Sequence, residues 1–173
     1  ETSIEVKRES NQIAEVVSSE DLGKLPDLSI ADSITRLPGL AGQRVAGRTS
    51  TISIRGLSGD YGTTLLNGRE QVSVGDNRGV EFDQFPSELI NQVVVYKTAD
   101  ASLVGQGLSG TVDLKTVRPL AFGKRAFAAN LRGDQNKVGD EKENGYRYSF
   151  SYIDQFADNT VGIALGYAHL NNP

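Results

Sequence analysis

Cysteine is absent from the 173 residues, and so are methionine and tryptophan. The first absence excludes disulfides, thiolate metal sites and cysteine nucleophiles, and it names no compartment. A basic block is missing too. Eighteen Lys and Arg against 22 Asp and Glu leave a net charge of −4 spread along the chain. That is not the stripe that follows a phosphate backbone, so nucleic acid is not an expected partner. No stretch reaches the roughly 18 consecutive apolar residues of a membrane-spanning helix. If the chain enters a bilayer, it does so as strands. It opens on Glu1 rather than a start methionine, so a processed or trimmed product is expected, with any signal peptide already removed.

What is present points to β structure with many turns: 19 glycines, and an aromatic content carried by Tyr and Phe alone. The texture changes near Pro119. Before it, short apolar runs alternate with Gly-rich turns and two helix signals, which predicts a compact α+β domain. Glu5 to Val17 has weak strand character. Ser18 or Ser19 then caps a short helix whose first turn holds Glu20 and Asp21, acids that suit the helix dipole. Ser29-Ile30-Ala31-Asp32 starts a second helix with Ile30, Ile34 and Leu37 on one face, ended by Pro38-Gly39. Strands follow at Thr51 to Arg55, with Ile52 and Ile54 on one side, and at Thr63 to Leu66, which runs into an Asn67-Gly68 hairpin turn. Pro86-Ser87-Glu88 reads as one helical turn, and Gln92 to Thr98 and Thr111 to Val117 as two more strands.

After Pro119 one pattern repeats three times. Phe127, Ala129 and Leu131 alternate with polar or small neighbours. Tyr146, Tyr148, Phe150 and Tyr152 do the same, and so do Val161, Ile163, Leu165 and Tyr167. Segments of about ten residues with a period of two and an aromatic-rich apolar side are what a lipid-facing barrel strand needs. A soluble meander with one wet face has the same period, so alternation alone leaves both open. Gly133 to Gly145 is long and charged, as an external loop would be; Gln155 to Asn159 is short, as a periplasmic turn would be.

Several chemical motifs fail on context. Gly105-x-Gly107-x-x-Gly110 matches a dinucleotide fingerprint in letters, yet a strand follows it where a helix N-terminus must hold the pyrophosphate. Ser58 and Ser109 lie in glycine-rich turns without the nucleophile-elbow pattern, and nothing in the sequence orients the one histidine, His169, toward either. Asp140-Glu141-Lys142-Glu143 breaks the spacing of a calcium loop. No catalytic residue, metal site or cofactor is expected, and the chain is not expected to be an enzyme.

The order of segments carries more. Ser18-Ser19-Glu20-Asp21-Leu22, Leu25-Pro26 and Ile30 to Leu40 come first. Ile52-Ser53-Ile54-Arg55-Gly56-Leu57 and Thr64-Leu65-Leu66-Asn67-Gly68-Arg69 follow. Phe85 to Lys97 and Leu108-Ser109-Gly110-Thr111-Val112-Asp113-Leu114 complete the series. Together these resemble the plug domains of TonB-dependent receptors across nearly all of residues 15 to 118. Thr2-Ser3-Ile4-Glu5-Val6 resembles the first plug strand.

The resemblance implies an α+β plug, a small mixed sheet with short helices, over 1–118. Antiparallel transmembrane β-barrel strands follow over 119–173. Three strands cannot close, and an open sheet leaves backbone groups unsatisfied in hydrocarbon, so a fragment of a larger barrel is expected. The resemblance further implies residence in the cell outer membrane, lipid contact, coupling to TonB, and uptake of a scarce nutrient. An oligosaccharide or a ferric siderophore is the implied cargo, with ligand sensing without transport as the alternative. By position in such plugs, Asp60, Tyr61, Arg69, Gln71, Asp76, Asn77 and Arg78 offer charge, amides and an aromatic face to a ligand. Arg55 ends a buried strand, where a charge must be paired. An ion pair with a plug or barrel carboxylate is expected there, helping to seat the plug.

Overall fold

The computed structural model describes residues 2–10, 13–18, 30–45, 48–73, 75, 78–82, 85, 87–103, 107–138 and 141–171. The chain forms two compact units, Glu1–Thr116 and Val117–Pro173.

The first unit opens with a helix, α1 (Thr2–Glu9), where the sequence predicts strand. Its charges explain the difference: Glu5 lies in the first turn and Lys7 and Arg8 in the last, each complementing the helix dipole. Val6 then packs against Ala14, Val16, Val94 and Tyr96, and strand β1 begins only at Ala14 (Ala14–Ser18). The helix expected over Glu20 and Asp21 lies outside the described residues. Helix α2 (Ile30–Ile34) buries Ile30, Ala31 and Ile34 completely, with Leu37 packed beside them. Gly39, at φ +74°, turns the chain out, as the Pro-Gly signal predicts.

Strands β2 (Leu40–Val45) and β3 (Arg48–Ile54) form a separate antiparallel pair that points Ile52 and Ile54 into the core. The main sheet has the order β1-β6-β7-β4-β5, with β4 (Gly62–Leu66), β5 (Arg69–Glu70), β6 (Ile90–Tyr96) and β7 (Gly110–Thr116). In it β4 and β7 pair parallel, while β1–β6, β6–β7 and β4–β5 pair antiparallel. Asn67 and Gly68 both take positive φ, +52° and +79°, as a two-residue type I′ turn demands. Asn67 does more than turn the chain. Its side chain accepts the Thr116 N–H (3.0 Å) and donates to the Thr116 hydroxyl (2.9 Å), closing the far end of the β4–β7 seam. A 3-10 turn at Ser87–Leu89 occupies the place of the expected single helical turn.

In the second unit a short helix, α3 (Pro119–Phe122), precedes a meander of β8 (Ala126–Val138), β9 (Glu141–Phe156) and β10 (Val161–Asn171) in the order β10-β9-β8. The expected long loop from Gly133 to Gly145 is mostly strand. The β8–β9 ladder continues unbroken from Ala126↔Ile153 to Val138↔Glu141. Gln135, Lys142 and Asn144 there stay exposed without leaving the ladder, which a composition-based loop assignment overlooks. The opposite turn is short, with Ala157, Asp158 and Asn159 at φ +52°, +53° and +62°.

Cross-strand register places Phe127, Tyr152 and Leu165 in one row and Ala129, Phe150 and Tyr167 in the next. Phe127, Leu131, Phe150, Leu165 and Tyr167 on that face are all exposed, Leu131 to 84%. At its far end Tyr148 stacks on His169 with ring centroids 5.1 Å apart and meets Tyr167 at 6.0 Å. No helix among the described residues is long and apolar enough to cross a membrane.

Candidate functional site

Two loops of the first unit meet at the start of β4. The Asp60 carboxylate, in the 3-10 turn Gly59–Tyr61, accepts backbone N–H bonds from Arg78 (3.0 Å) and Gly79 (3.1 Å). A Cβ on Gly79 would stand 3.4 Å from the Gly59 carbonyl carbon, so the strands of the crossing touch through glycine. From the third side, the Ser109 N–H donates to the Tyr61 carbonyl at 3.0 Å. Three segments distant in sequence thus form one rim. It exposes half of Tyr61 and nearly all of Leu108, the latter an apolar contact surface that a polar-residue search passes over.

The expected ligand-facing residues divide accordingly. Asp60, Tyr61 and Arg78 are brought together, though Asp60 spends one carboxylate oxygen on the loop crossing. Arg69 pairs with Leu66 at the opposite end of β4, four residues from Gly62 or roughly 13 Å along the strand. Gln71 returns part of the way: its N–H reaches the Thr64 carbonyl at 2.8 Å, and its side-chain amide caps the carbonyls of Arg69 and Glu70. Asp76 and Asn77 lie outside the described residues.

Arg55 corrects its own premise. It is exposed, in a turn at φ +54° with its N–H bonded to the Gly39 carbonyl, and it makes no ion pair among the described residues. Burial therefore supplies no reason for a partner within this unit.

The glycine fingerprint acquires a mechanical meaning. A Cβ at Gly107 would lie 2.5 Å from the Thr63 nitrogen and 2.6 Å from both the Gly110 oxygen and the Gly62 carbonyl carbon. Gly110, at φ +150°, would bring a Cβ to 2.6 Å from the Tyr96 oxygen. These glycines let three backbones approach where β4 and β7 begin, which is a packing role.

Among the described residues of the first unit, two carboxylates have shifted acidity. Burial raises Asp113 above the ordinary 3.8, against the opposing Gly68 N–H bond (3.3 Å) and the Lys115 charge. At Glu15 burial also pushes upward, but the Lys7 ammonium at 2.8 Å and then Lys97 at 3.6 Å outweigh it, and the net shift is below 4.5. Lys97 also donates to the Pro38 carbonyl, tying β6 to the turn after α2. Among the described residues no group of three or more His, Asp or Glu side chains is placed to hold a metal ion. His169 belongs to the tyrosine cluster of the second unit.

The family model of the TonB-dependent Receptor Plug Domain matches residues 6–112, more than half of the chain. Among solved structures, the outer membrane transporter YddB from Escherichia coli is similar at TM-score 0.68 and 18% identity, over 91% of this chain and 26% of that one. The pyoverdine outer membrane receptor FpvA from Pseudomonas aeruginosa, bound to pyoverdine, gives 0.66 and 18%, over 96% and 23%. A ferric enterobactin receptor mutant from Pseudomonas aeruginosa, in complex with enterobactin, gives 0.64 and 16%, over 93% and 25%. The chain spans about a quarter of the length of these receptors, and identities this low speak for the fold. With its mixed-sheet plug followed by antiparallel strands of an incomplete barrel, the chain belongs to the TonB-dependent receptor plug family and resides in the outer membrane.

Proposed function

We propose that residues 1–118 are the gate and residues 119–173 the first three barrel strands of a receptor for active uptake of a scarce nutrient. TonB supplies the energy, outer-membrane lipid surrounds the strands, and a small ligand is the cargo. The observation that carries this reading is the β8–β10 sheet, which follows a plug and turns one face of exposed aromatic and aliphatic side chains outward. In water such a face would be a liability; against lipid it is the favourable side.

An oligosaccharide and a ferric siderophore both suit a rim rich in hydrogen-bonding groups. The neighbours bound to pyoverdine and enterobactin support the siderophore. Tyr61 and Arg78 are the proposed grips, joined by Asp76 and Asn77 of the same loop, while Asp60 sets the spacing between the loops. Gln71 and Arg69 contribute from the β4–β5 hairpin as it returns toward the rim. Arg55, exposed and without an ion pair among the described residues, is proposed to pair with a plug or barrel carboxylate that helps seat the plug.

The test is growth of a deletion strain on single iron or carbon sources, read beside labelled-ligand uptake. Uptake that persists without TonB rejects the mechanism. For Arg55, R55A in the full receptor is expected to raise antibiotic leakage, and unchanged leakage and transport would remove the proposed pair.

A further inference from the structure

The short helix that opens the second unit is held in place by the strands that follow it. Helix α3 starts with Pro119 at its first position and ends at Gly123, in the left-handed region at φ +67°. Four residues make about one turn, too little for a helix to sustain itself. Its support comes from β9 and β10. The Gln155 side-chain amide donates to the carbonyls of Pro119 (2.8 Å) and Lys124 (3.1 Å), which bracket the turn. Directly across the ladder from Gln155 stands Gly162. A Cβ there would fall 2.7 Å from Pro119 Cβ and 3.1 Å from Leu120 Cγ and Cδ2. Glycine at 162 lets the turn lie flat on the sheet, and a bulky side chain there would lift it off.

Residues opposite one another in an antiparallel ladder share a face. Gln155 and Gly162 therefore lie on the face opposite Phe150, Leu165 and Tyr167, which is the lumen wall on the barrel reading. On the other face, Asp154 accepts from Arg125 Nε (2.9 Å) and from the Tyr152 hydroxyl (2.6 Å). The chain is thus gripped at Lys124 from one side and at Arg125 from the other as it enters β8.

We infer that Gln155 and Gly162 are positioning residues of the gate's seat, holding the 119–124 turn on the lumen wall so that the gate stays anchored at its C-terminal end during transport. The inference rests on the barrel reading above, and its test needs no cargo. In the full-length receptor in outer membranes, Leu120→Cys with Gly162→Cys is the diagnostic pair. Leu120 Cγ marks the cysteine sulfur, and its 3.1 Å separation from Cβ 162 is near the roughly 3 Å that a disulfide sets between a Cβ and the far sulfur.

Mild oxidation is expected to cross-link most molecules of that pair. Leu120→Cys with Ile163→Cys, whose second cysteine faces the opposite side, is expected to stay open. Q155A and G162L are each expected to lower the vancomycin concentration that inhibits growth about fourfold, with receptor amount and the heat-modifiable barrel band unchanged. Q155A keeps the test alive if G162L does not assemble. Oxidising the 120–162 cysteine pair in a Q155A background should restore the barrier, a rescue that a merely local folding role would not produce.

Cross-linking no better than the 163 control, or folded Q155A and G162L receptors as tight as the parent, overturns the inference. A parent protein without a heat-modifiable band overturns the barrel reading itself, and this inference with it.

Discussion

Gly107→Ala is the sharpest perturbation available in the first unit. The added methyl would stand 2.5–2.6 Å from three atoms of backbone, about 0.9 Å inside ordinary contact. A side chain at that distance could rotate away, but Thr63 N, Gly62 C and Gly110 O sit where the parallel β4–β7 pairing begins. The methyl must therefore part the two strands at Gly62↔Gly110. Overpacking of a well-filled site costs about 1–3 kcal/mol, and with only backbone to yield we take the upper end, about 3 kcal/mol. That corresponds to an opening equilibrium larger by on the order of 100-fold. Amide hydrogen exchange of the full-length receptor reads it directly, at Thr63 to Leu66 and Thr111 to Leu114. Gly68→Ala is the control: φ +79° strains any side chain, but no atom lies within 4 Å. About 1 kcal/mol, or roughly fivefold faster exchange, is expected there. If β4 and β7 amides in G107A exchange within about threefold of the parent, or if the two variants behave alike, the close-approach reasoning is wrong.

Asp60→Ala should free the Arg78 and Gly79 amides for about 1–2 kcal/mol, raising Gly79 exchange about tenfold, whereas Asp60→Asn keeps an acceptor and should do much less. Equal effects would mean that the carboxylate does not bind the loops. The two shifted acids predict opposite pH windows. Glu15, lowered, contributes stability above pH 4.5 that is lost as pH falls through its folded value; Asp113, raised, contributes stability below pH 3.8 that is lost as pH rises through its folded value. Plug melting in the full receptor should accordingly lose part of its acid limb in E15Q and part of its decline above pH 3.8 in D113N; a D113N variant that gains nothing at pH 7 relative to pH 3 contradicts the burial argument. Leu165→Arg on the exposed apolar face should cost about 2–4 kcal/mol in folding into lipid vesicles if it lies near the midplane. The neighbouring Ala164→Arg faces the other way and should cost clearly less; equal costs would reject the assignment of faces.

Elements with a strong local signature were legible in the residues. Ile30, Ile34 and Leu37 announced α2, Asn67-Gly68 announced its turn, and the alternating aromatics announced three strands. Features set by distant contacts were not. Nothing near Gly107 reveals that Thr63 will lie 2.5 Å from its missing Cβ. Asp60 looked like a ligand-binding carboxylate, and only the fold shows that Arg78 and Gly79 take one of its oxygens. Arg55 was judged by the strand before it, yet the chain turns at that residue and leaves it in solvent. At α1 a short polar-apolar stretch fitted either period, and the end charges with one packed valine decided it. Helix α3 did carry a signal, proline at its start and glycine just past its end, but four residues give periodicity nothing to work on.

The unbroken β8–β9 ladder has a consequence of reach and stiffness. Its last aromatic outward residue is Tyr146, opposite Gly133, yet pairing continues to Val138. Five further residues at about 3.4 Å each, tilted by about 40°, carry the hairpin roughly 13 Å beyond the apolar band. Hydrogen-bonded ribbon of that length behaves as a beam rather than a tether. Much of the ordering cost that a free 13-residue loop would meet on closing over cargo is met during folding. A touch at the far end would displace the strands at its base, where a slack loop would absorb it.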